Sequence, residues 1–300
     1  MSTPILNTPG APADNSAAPL DLPKASPDLT ASGVPTTTNV LDPSSVLTAT
    51  VPVSPTLEGG AAPSATGPNT LYLALVKRSF LSEESILILE PGPGSRLTSP
   101  IRLFGEADPT FEQALVARLV LADGSELALV PVQIASELGT RGPFEGVIPF
   151  NVTSEQQGFL QVYATSARDG GITHLSSVGI SLAPGGAQTI NPVTDRKERI
   201  AIFSPRLTEN VSGGMVRVQG FGLASFEQTL VIEVQDENGD VVGSTPVTVA
   251  APDLGKPGHF SADVFYTVAS SGPGRVVVRD ISPAFGGDTH LTSVEINLSP

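Results

Sequence analysis

Thr173-His174-Leu175-Ser176-Ser177-Val178 is repeated almost unchanged as Thr289-His290-Leu291-Thr292-Ser293-Val294, about 115 residues later. Phe111-Glu112-Gln113 returns in the same way as Phe226-Glu227-Gln228. A period of this size corresponds to a whole domain, because the units of solenoid proteins run about 20 to 50 residues. The 300-residue chain is therefore predicted to be a tandem array of two small domains.

Both copies consist of short apolar or alternating runs that are separated by turn signals. Val216-Arg217-Val218-Gln219 and Val294-Glu295-Ile296-Asn297-Leu298 alternate so that one parity faces a core. Asp123-Gly124 and Asn238-Gly239 separate apolar runs and suit the positive φ angles of a tight hairpin. The pattern predicts an all-β sandwich or barrel. Candidate strands are 71–76, 85–89, 101–105, 114–122, 126–134, 144–151, 158–164 and 175–182, then 199–203, 215–220, 229–236, 240–249, 260–266, 274–279 and 291–298.

Residues 1–69 have a different composition. They are rich in Pro, Ser, Thr and Ala, and Lys24 is their only basic residue. Such a segment buries too little apolar surface to offset its ordering entropy, which predicts a disordered linker or stalk, with a tail of no function as the alternative. The first domain is then expected at 70–183, a linker at 184–198 and the second domain at 199–300. Because this linker is short and contains Pro184-Gly185-Gly186, we expect two beads of limited freedom rather than one fused core.

The composition excludes several classes of function. A formal net charge of −14 argues against binding to nucleic acid or to anionic lipid, which both need clustered Lys and Arg. The absence of cysteine excludes disulfides, Cys-ligated zinc and thiol nucleophiles. Leu71–Val76 is too short to span a membrane, and Met1–Leu20 lacks the basic and apolar regions of a secretory signal. The protein is thus expected to stay inside, to leave by another route, or to start upstream of Met1.

A set of paired motifs carries a family resemblance. Each copy has an opening strand that ends in Pro, a Gly at the end of the next strand, Phe-Glu, Asx-Gly and a Gly-x-Phe element. In the first copy these are Ile88-Leu89-Glu90-Pro91, Gly105, Phe111-Glu112, Asp123-Gly124 and Gly142-Pro143-Phe144. In the second copy they are Ile202-Phe203-Ser204-Pro205, Gly220, Phe226-Glu227, Asn238-Gly239 and Gly258-His259-Phe260. Late in the copies come Ser166-Ala167-Arg168-Asp169-Gly170 and Asp280-Ile281-Ser282-Pro283.

This set resembles the immunoglobulin-like domain of bacterial spore germination proteins, called Gmad2, over about residues 86–182 and 200–298. The resemblance implies two tandem immunoglobulin-like β-sandwich domains in an extracytoplasmic, cell-envelope protein. It brings no catalytic residues, and sporulation does not follow for every member. No cofactor and no metal site are predicted.

Five residues are candidates for contact with a ligand or partner, namely His174, His290, Arg168, Asp169 and Asp280. The two histidines stand at equivalent positions before the last strand of each copy, where an imidazole could meet a ligand or respond to pH. The structural alternative is a histidine whose ring nitrogens bond a nearby loop carbonyl.

Two further motifs favour structural roles. Phe111 and Phe226 are expected in the core, beside a Glu that accepts backbone N–H bonds, with a surface recognition pair as the alternative. Asp236-Glu237-Asn238-Gly239-Asp240 resembles the start of a calcium loop, but Val247 stands where the bidentate Glu is needed, so a hairpin turn is expected.

The sequence leaves three functions open. The first is a non-catalytic envelope module that binds wall glycan or an envelope protein. The second is a structural spacer or assembly component. The third is a hydrolase such as a glycosidase, for which no Gly-x-Ser-x-Gly elbow, phosphate loop or His-Glu-x-x-His motif is present and no carboxylate pair is singled out.

Overall fold

The structure, a computed structural model, describes residues 82–300 except Ser225, Ala284 and Phe285. The described residues all fall within one compact unit. The predicted stalk at 1–69 and the predicted strand at 71–76 lie outside them, so both stay predictions.

The first domain is a sandwich of two antiparallel sheets. One sheet has the order β1-β3-β6, and the other has the order β5-β4-β7-β8 with the short β2 added in parallel to β8. A one-turn 3-10 helix, Phe111–Gln113, leads into β4. The strands are β1 Ile86–Glu90, β2 Arg96–Thr98, β3 Ile101–Ala107, β4 Ala114–Leu121, β5 Glu126–Gln133, β6 Gly142–Ile148, β7 Gln156–Thr165 and β8 Ile172–Ala183.

The second domain repeats this plan. Its small sheet has the order β9-β11-β14, and its large sheet has the order β13-β12-β15-β16 with β10 parallel to β16. The strands are β9 Ile200–Ser204, β10 Asn210–Val211, β11 Met215–Gly222, β12 Thr229–Gln235, β13 Val241–Thr248, β14 Gly258–Phe265, β15 Gly272–Ile281 and β16 Asp288–Leu298.

The alternating pattern located the strands well. Every predicted window within the described residues overlaps an observed strand, and Asp123-Gly124 and Asn238-Gly239 each join two antiparallel strands as hairpin turns. The calcium-like segment is thus the β12–β13 turn, in which Asp236 Oδ1 accepts the N–H groups of Asn238 and Asp240. The short strands β2 and β10 were not predicted, because two or three residues carry no periodic signal.

Each sandwich has its own apolar core around one phenylalanine. Phe144 and Phe260 are buried, as predicted. Gly105 and Gly220 lie against these rings, and a Cβ atom at either glycine would overlap with the ring and with a carbonyl oxygen of the neighbouring strand. The Gly and the Gly-x-Phe elements of the repeat therefore form one packing unit in each domain.

The prediction that Phe111 and Phe226 are core residues is wrong. Their exposed fractions are 57% and 49%. The Glu and Gln that follow each Phe have positive φ angles of 47° to 54°, and this left-handed turn directs the Phe outward. Gln113 is the buried member of the first motif instead, and its Nε2 donates to Ser136 Oγ and to the carbonyls of two loop residues.

The two domains are joined edge to edge. Strand β8 of the first domain pairs antiparallel with β16 of the second, so that both large sheets form one continuous sheet. The two apolar cores are separate clusters, and a third cluster of Leu175, Val277 and Leu291 lies at the junction. We call this junction, formed by β8, β16 and the residues packed on them, the seam.

Candidate functional site

The repeated Thr-His-Leu motif forms the seam. His174 pairs with Thr292 and Leu175 pairs with Leu291. Extending this register places Ser176 opposite His290, so that the two motifs are related by an approximate two-fold axis between the leucines. Opposed residues of an antiparallel pair lie on the same face of the sheet. Both histidines therefore lie on one face, while both leucines lie on the other.

The last serine of each motif donates a hydrogen bond to the backbone of the opposite strand. Ser177 Oγ donates to the carbonyl of Thr289 at 2.7 Å. Its equivalent, Ser293 Oγ, donates to the carbonyls of Ile172 at 2.9 Å and Thr173 at 3.3 Å. The motif is thus self-complementary, which is a physical reason for its near identity in the two copies.

Two glutamates complete the histidine face. Glu84 precedes β1 and Glu198 precedes β9, at equivalent positions of the two copies. Glu84 Oε2 accepts the N–H of Arg199, and Glu198 Oε2 accepts the N–H of Ser85, both at 3.0 Å. Each carboxylate therefore satisfies a backbone donor of the other domain. Glu84 Oε1 also accepts from Ser176 Oγ, and Glu198 Oε1 accepts from the N–H of Ile200.

Both imidazoles point at the same carboxylate oxygen. The Nε2 atoms of His174 and His290 lie 2.5 Å and 3.0 Å from Glu84 Oε1, and the two rings meet edge to face with centroids 5.9 Å apart. Glu198 Oε1 lies 3.9 Å from His174 Nε2. All four side chains are buried. We call Glu84, His174, Glu198 and His290 the His–Glu cluster.

Burial and charge shift the pKa values within the His–Glu cluster in opposite directions. Burial alone would raise the pKa of Glu84, but the charges and hydrogen bonds of the two histidines hold that pKa well below its usual range. Burial alone would lower the pKa of His174, but the carboxylates of Glu198 and Glu84 raise it to about 9. Burial raises the pKa of Glu198. Glu84 is therefore the anionic centre of the cluster.

The opposite face of the seam carries a buried arginine. Arg275 of β15 is 2% exposed. Its Nη2 donates to Asp169 Oδ1 of the first domain at 2.6 Å and to Glu295 Oε1 at 3.3 Å. Arg168 bonds Asp169 Oδ2 and donates to the carbonyl of Gly274 at 2.9 Å. These contacts tie the loop between β7 and β8 to the second domain.

An open groove lies between the domains beside the seam. Its volume is about 560 Å³. The first domain contributes Asp108, Thr110, the exposed Phe111 and Arg168, and the second contributes Thr292 and Glu295. His174 forms part of its floor. The groove thus offers an aromatic ring, a guanidinium group and carboxylates within one cavity.

The five candidate residues lie in different parts of the structure. Their role in contacting a ligand stays a prediction. His174 and His290 meet in the cluster, and His290 Nδ1 also lies 3.2 Å from the carbonyl of Thr289, which is the kind of contact that the structural alternative describes. Arg168 lines the groove, and Asp169 pairs with Arg275. Asp280 is fully buried and accepts from Thr289 Oγ1.

The glutamates were missed by the sequence reasoning. A signal was available, since Glu84-Ser85-Ile86 and Glu198-Arg199-Ile200 precede the opening strands at the same distance from Pro91 and Pro205. Aligning the copies from these prolines backward would have paired Glu84 with Glu198.

The family profile of Gmad2, described as "Immunoglobulin-like domain of bacterial spore germination", matches residues 85–171 and 199–287. Together the two segments cover more than half of the chain. The chain belongs to the Gmad2 family. The predicted resemblance and the immunoglobulin-like β-sandwich fold are both confirmed.

The chain was also compared with curated sequences and with solved structures. No curated protein matches this Gmad2 chain in sequence. Among solved structures it is similar to dimeric latent PorU from Porphyromonas gingivalis, at 10% identity over 72% of this chain and 24% of that one, with a TM-score of 0.22. It is also similar to a chimeric titin Z1Z2 tandem (14% identity, 71% and 98% covered) and to bovine butyrophilin (12% identity, 72% and 99% covered), both with TM-scores of 0.22.

Tandem Gmad2 domains fit a non-catalytic module of a family linked to spore germination. Among the residues that the structure describes, no helix is both long and apolar enough to cross a bilayer.

Proposed function

We propose that this Gmad2 protein is a non-catalytic binding module of the bacterial cell envelope that holds wall glycan in the groove between its two domains. The observation that carries the proposal is the exposed Phe111 beside Arg168, Asp108 and Glu295 in one cavity. The envelope location is part of the proposal, and it is supported by a family description that names bacterial spore germination.

The groove has the chemistry that a glycan needs. Sugar rings present C–H faces that pack on aromatic rings, and Phe111 offers such a ring to solvent. Sugar hydroxyls accept and donate hydrogen bonds, for which Arg168 supplies donors while Asp108 and Glu295 supply acceptors. A neutral or amino-sugar polymer also avoids the repulsion that a chain with net charge −14 would impose on a polyanion.

The backbone around Phe111 supports a display role. Glu112 and Gln113 both have φ angles of 54°, a conformation that costs non-glycine residues about 1–3 kcal/mol each. Gln113 stabilises this turn through its buried hydrogen bonds. An exposed aromatic ring on a strained and anchored turn is typical of a recognition site.

The test is co-sedimentation of the full chain with purified cell wall of the source organism. We expect saturable pelleting, and about tenfold weaker binding, or 1.4 kcal/mol, for Phe111→Ala and Arg168→Ala. Phe226→Ala is the matched control, since Phe226 is equally exposed in the same kind of turn but does not line the groove. It should pellet like the unchanged chain.

A spacer is the second candidate, favoured by the continuous sheet that fixes one domain against the other. Pelleting that is equal in all three variants, or no pelleting at any salt concentration, would reject glycan binding in the groove. In the second case, crosslinking in cells would separate an envelope-protein partner from a spacer that binds nothing.

A further inference from the structure

Three ligand atoms of metal-binding type converge in the His–Glu cluster. The Nε2 atoms of His174 and His290 and a carboxylate oxygen of Glu84 all lie within 4.8 Å of one another. The carbonyl of Thr289 can only accept, so the proton of a neutral His290 belongs on Nδ1, 3.2 Å from that oxygen. His290 then turns a lone pair toward Glu84. A cation bound between them would join these groups, beside Ser176 Oγ, which lies 3.1 Å from Glu84 Oε1 and 3.3 Å from His290 Nε2.

The charges of the cluster match one divalent ion. Glu84 and Glu198 bring two negative charges into a buried site, and the imidazoles are neutral when each keeps its proton on Nδ1. A single Zn²⁺ would balance both carboxylates. Burying an unbalanced charge is strongly unfavourable. We therefore expect bound positive charge to neutralise both carboxylates.

The geometry is close to that of a zinc site. Bonds of about 2.0–2.2 Å place tetrahedral ligand atoms about 3.3 Å apart. The observed separations are 2.5, 3.0 and 3.9 Å, so each pair of ligand atoms would have to shift by less than about 1 Å to bind the ion. His174 Nδ1 lies 3.3 Å from Thr292 Oγ1, and His290 Nδ1 contacts the Thr289 carbonyl. In zinc-bound histidines the ring nitrogen that does not bind the metal usually donates to an oxygen in this way. The backbone N–H groups of Ser85 and Arg199 fix the two carboxylates.

A route to the cluster exists. A cavity of about 130 Å³ is lined by Glu84, Ser176 and His290 at one end and by Thr194, Asp195 and Arg199 at the other. Asp195 is exposed, so the cavity reaches solvent-facing residues. Its charged lining combines the carboxylates of Glu84 and Asp195 with the cationic side chains of Lys197 and Arg199.

We propose that Glu84, His174 and His290 bind Zn²⁺, with Glu198 as the fourth ligand, and that the ion locks the two domains together. Imidazole and carboxylate donors favour zinc over the oxygen-only sites of calcium and magnesium. The proposal departs from our sequence-based expectation of no metal site. The ligands come from four segments and both domains, and none of the spacings forms a recognised zinc motif.

The test uses the full chain, stripped with a chelator and titrated with Co²⁺ and then Zn²⁺. We expect one Co²⁺ per chain with the visible d–d absorption of a tetrahedral site, and its loss when Zn²⁺ is added. His174→Gln and His290→Gln should bind at least about 100-fold more weakly. His259→Gln is the matched control, because His259 contacts Phe221 edge to face outside the cluster, and this variant should bind like the unchanged chain.

A second measurement uses only the unchanged chain. In the Co²⁺-loaded unchanged chain, proton NMR should show two exchangeable imidazole N–H signals shifted far downfield, one from each histidine. The proposal is overturned if the folded chain takes up no metal, if the two histidine variants bind as tightly as the unchanged chain, or if no such pair of signals appears.

Discussion

Glu84 and Glu198 each accept a hydrogen bond from the backbone N–H of the residue that follows the other one. The two bonds have the same length, 3.0 Å, and join positions more than a hundred residues apart. Together with the opposed histidines they give the seam its approximate two-fold symmetry. The domains are therefore joined by buried polar groups as well as by a strand pair, and this arrangement makes several specific predictions.

Glu84→Gln should destabilise the protein strongly. The change keeps the shape of the side chain but removes the negative charge that faces two imidazoles, and breaking a buried ion pair costs about 3–5 kcal/mol. The measurement is the free energy of unfolding by urea in the presence of a chelator. Glu83→Gln is the control, because its ion pairs with Arg196 and Arg141 are on the surface and should contribute less than about 1 kcal/mol. If both variants lost the same free energy of unfolding, Glu84 would contribute no more than a surface carboxylate.

The four motif phenylalanines should separate into two classes. Phe144→Ala and Phe260→Ala each leave a cavity in a core and should cost about 3–5 kcal/mol. Phe111→Ala and Phe226→Ala remove exposed rings and should change the free energy of unfolding by less than about 1 kcal/mol. Denaturant unfolding of the four variants checks this, and a large loss at Phe111 would mean that its ring is covered in solution.

Gln113→Ala should loosen the turn that displays Phe111. The buried amide of Gln113 donates to Ser136 Oγ and to the carbonyls of Glu137 and Thr140. Leaving these acceptors without a partner should cost about 1–3 kcal/mol. Amide hydrogen exchange should rise at residues 134–142, while Gln188→Ala serves as the control with little change there, because the exposed Gln188 amide donates to Thr98 Oγ1, away from this loop. Unchanged exchange in that loop would argue against the anchoring role.

The stabilisation by Asp169 should depend on pH. Burial alone would raise its pKa, but Arg168, the Gly171 N–H and Arg275 hold the pKa below its ordinary value. A depressed folded-state pKa means that the contribution is complete above the unfolded pKa of about 3.9 and is lost as the pH falls through the folded value. Asp169→Asn should therefore destabilise the protein at pH 7, by about 1–2 kcal/mol for a partly solvated charged hydrogen bond. The gap between the two unfolding curves should close below about pH 3.9. A gap that is independent of pH would contradict this.

Local patterns predicted the strands and hairpins, because alternation and Asx-Gly turns act over a few residues. Phe111 was misplaced because the two left-handed residues after it reverse the side that its side chain faces, and nothing in Phe-Glu-Gln signals that geometry. The seam was not predicted, since strand alternation does not say which edge pairs with which. The histidines were noticed only because the motif repeats, and Glu84, which contacts both of them, lies 90 residues from His174 and 206 from His290.

The edge-to-edge seam also bears on how the protein can be divided. If either domain were removed, β8 or β16 would keep a row of unsatisfied backbone donors and acceptors, which is a template for pairing with another chain. Since equivalent residues of both copies meet across an approximate two-fold axis, two identical halves present complementary edges in the same register. A truncated chain with one domain is thus expected to self-associate through this edge. In that sense the seam is a homodimer interface tied into a single polypeptide.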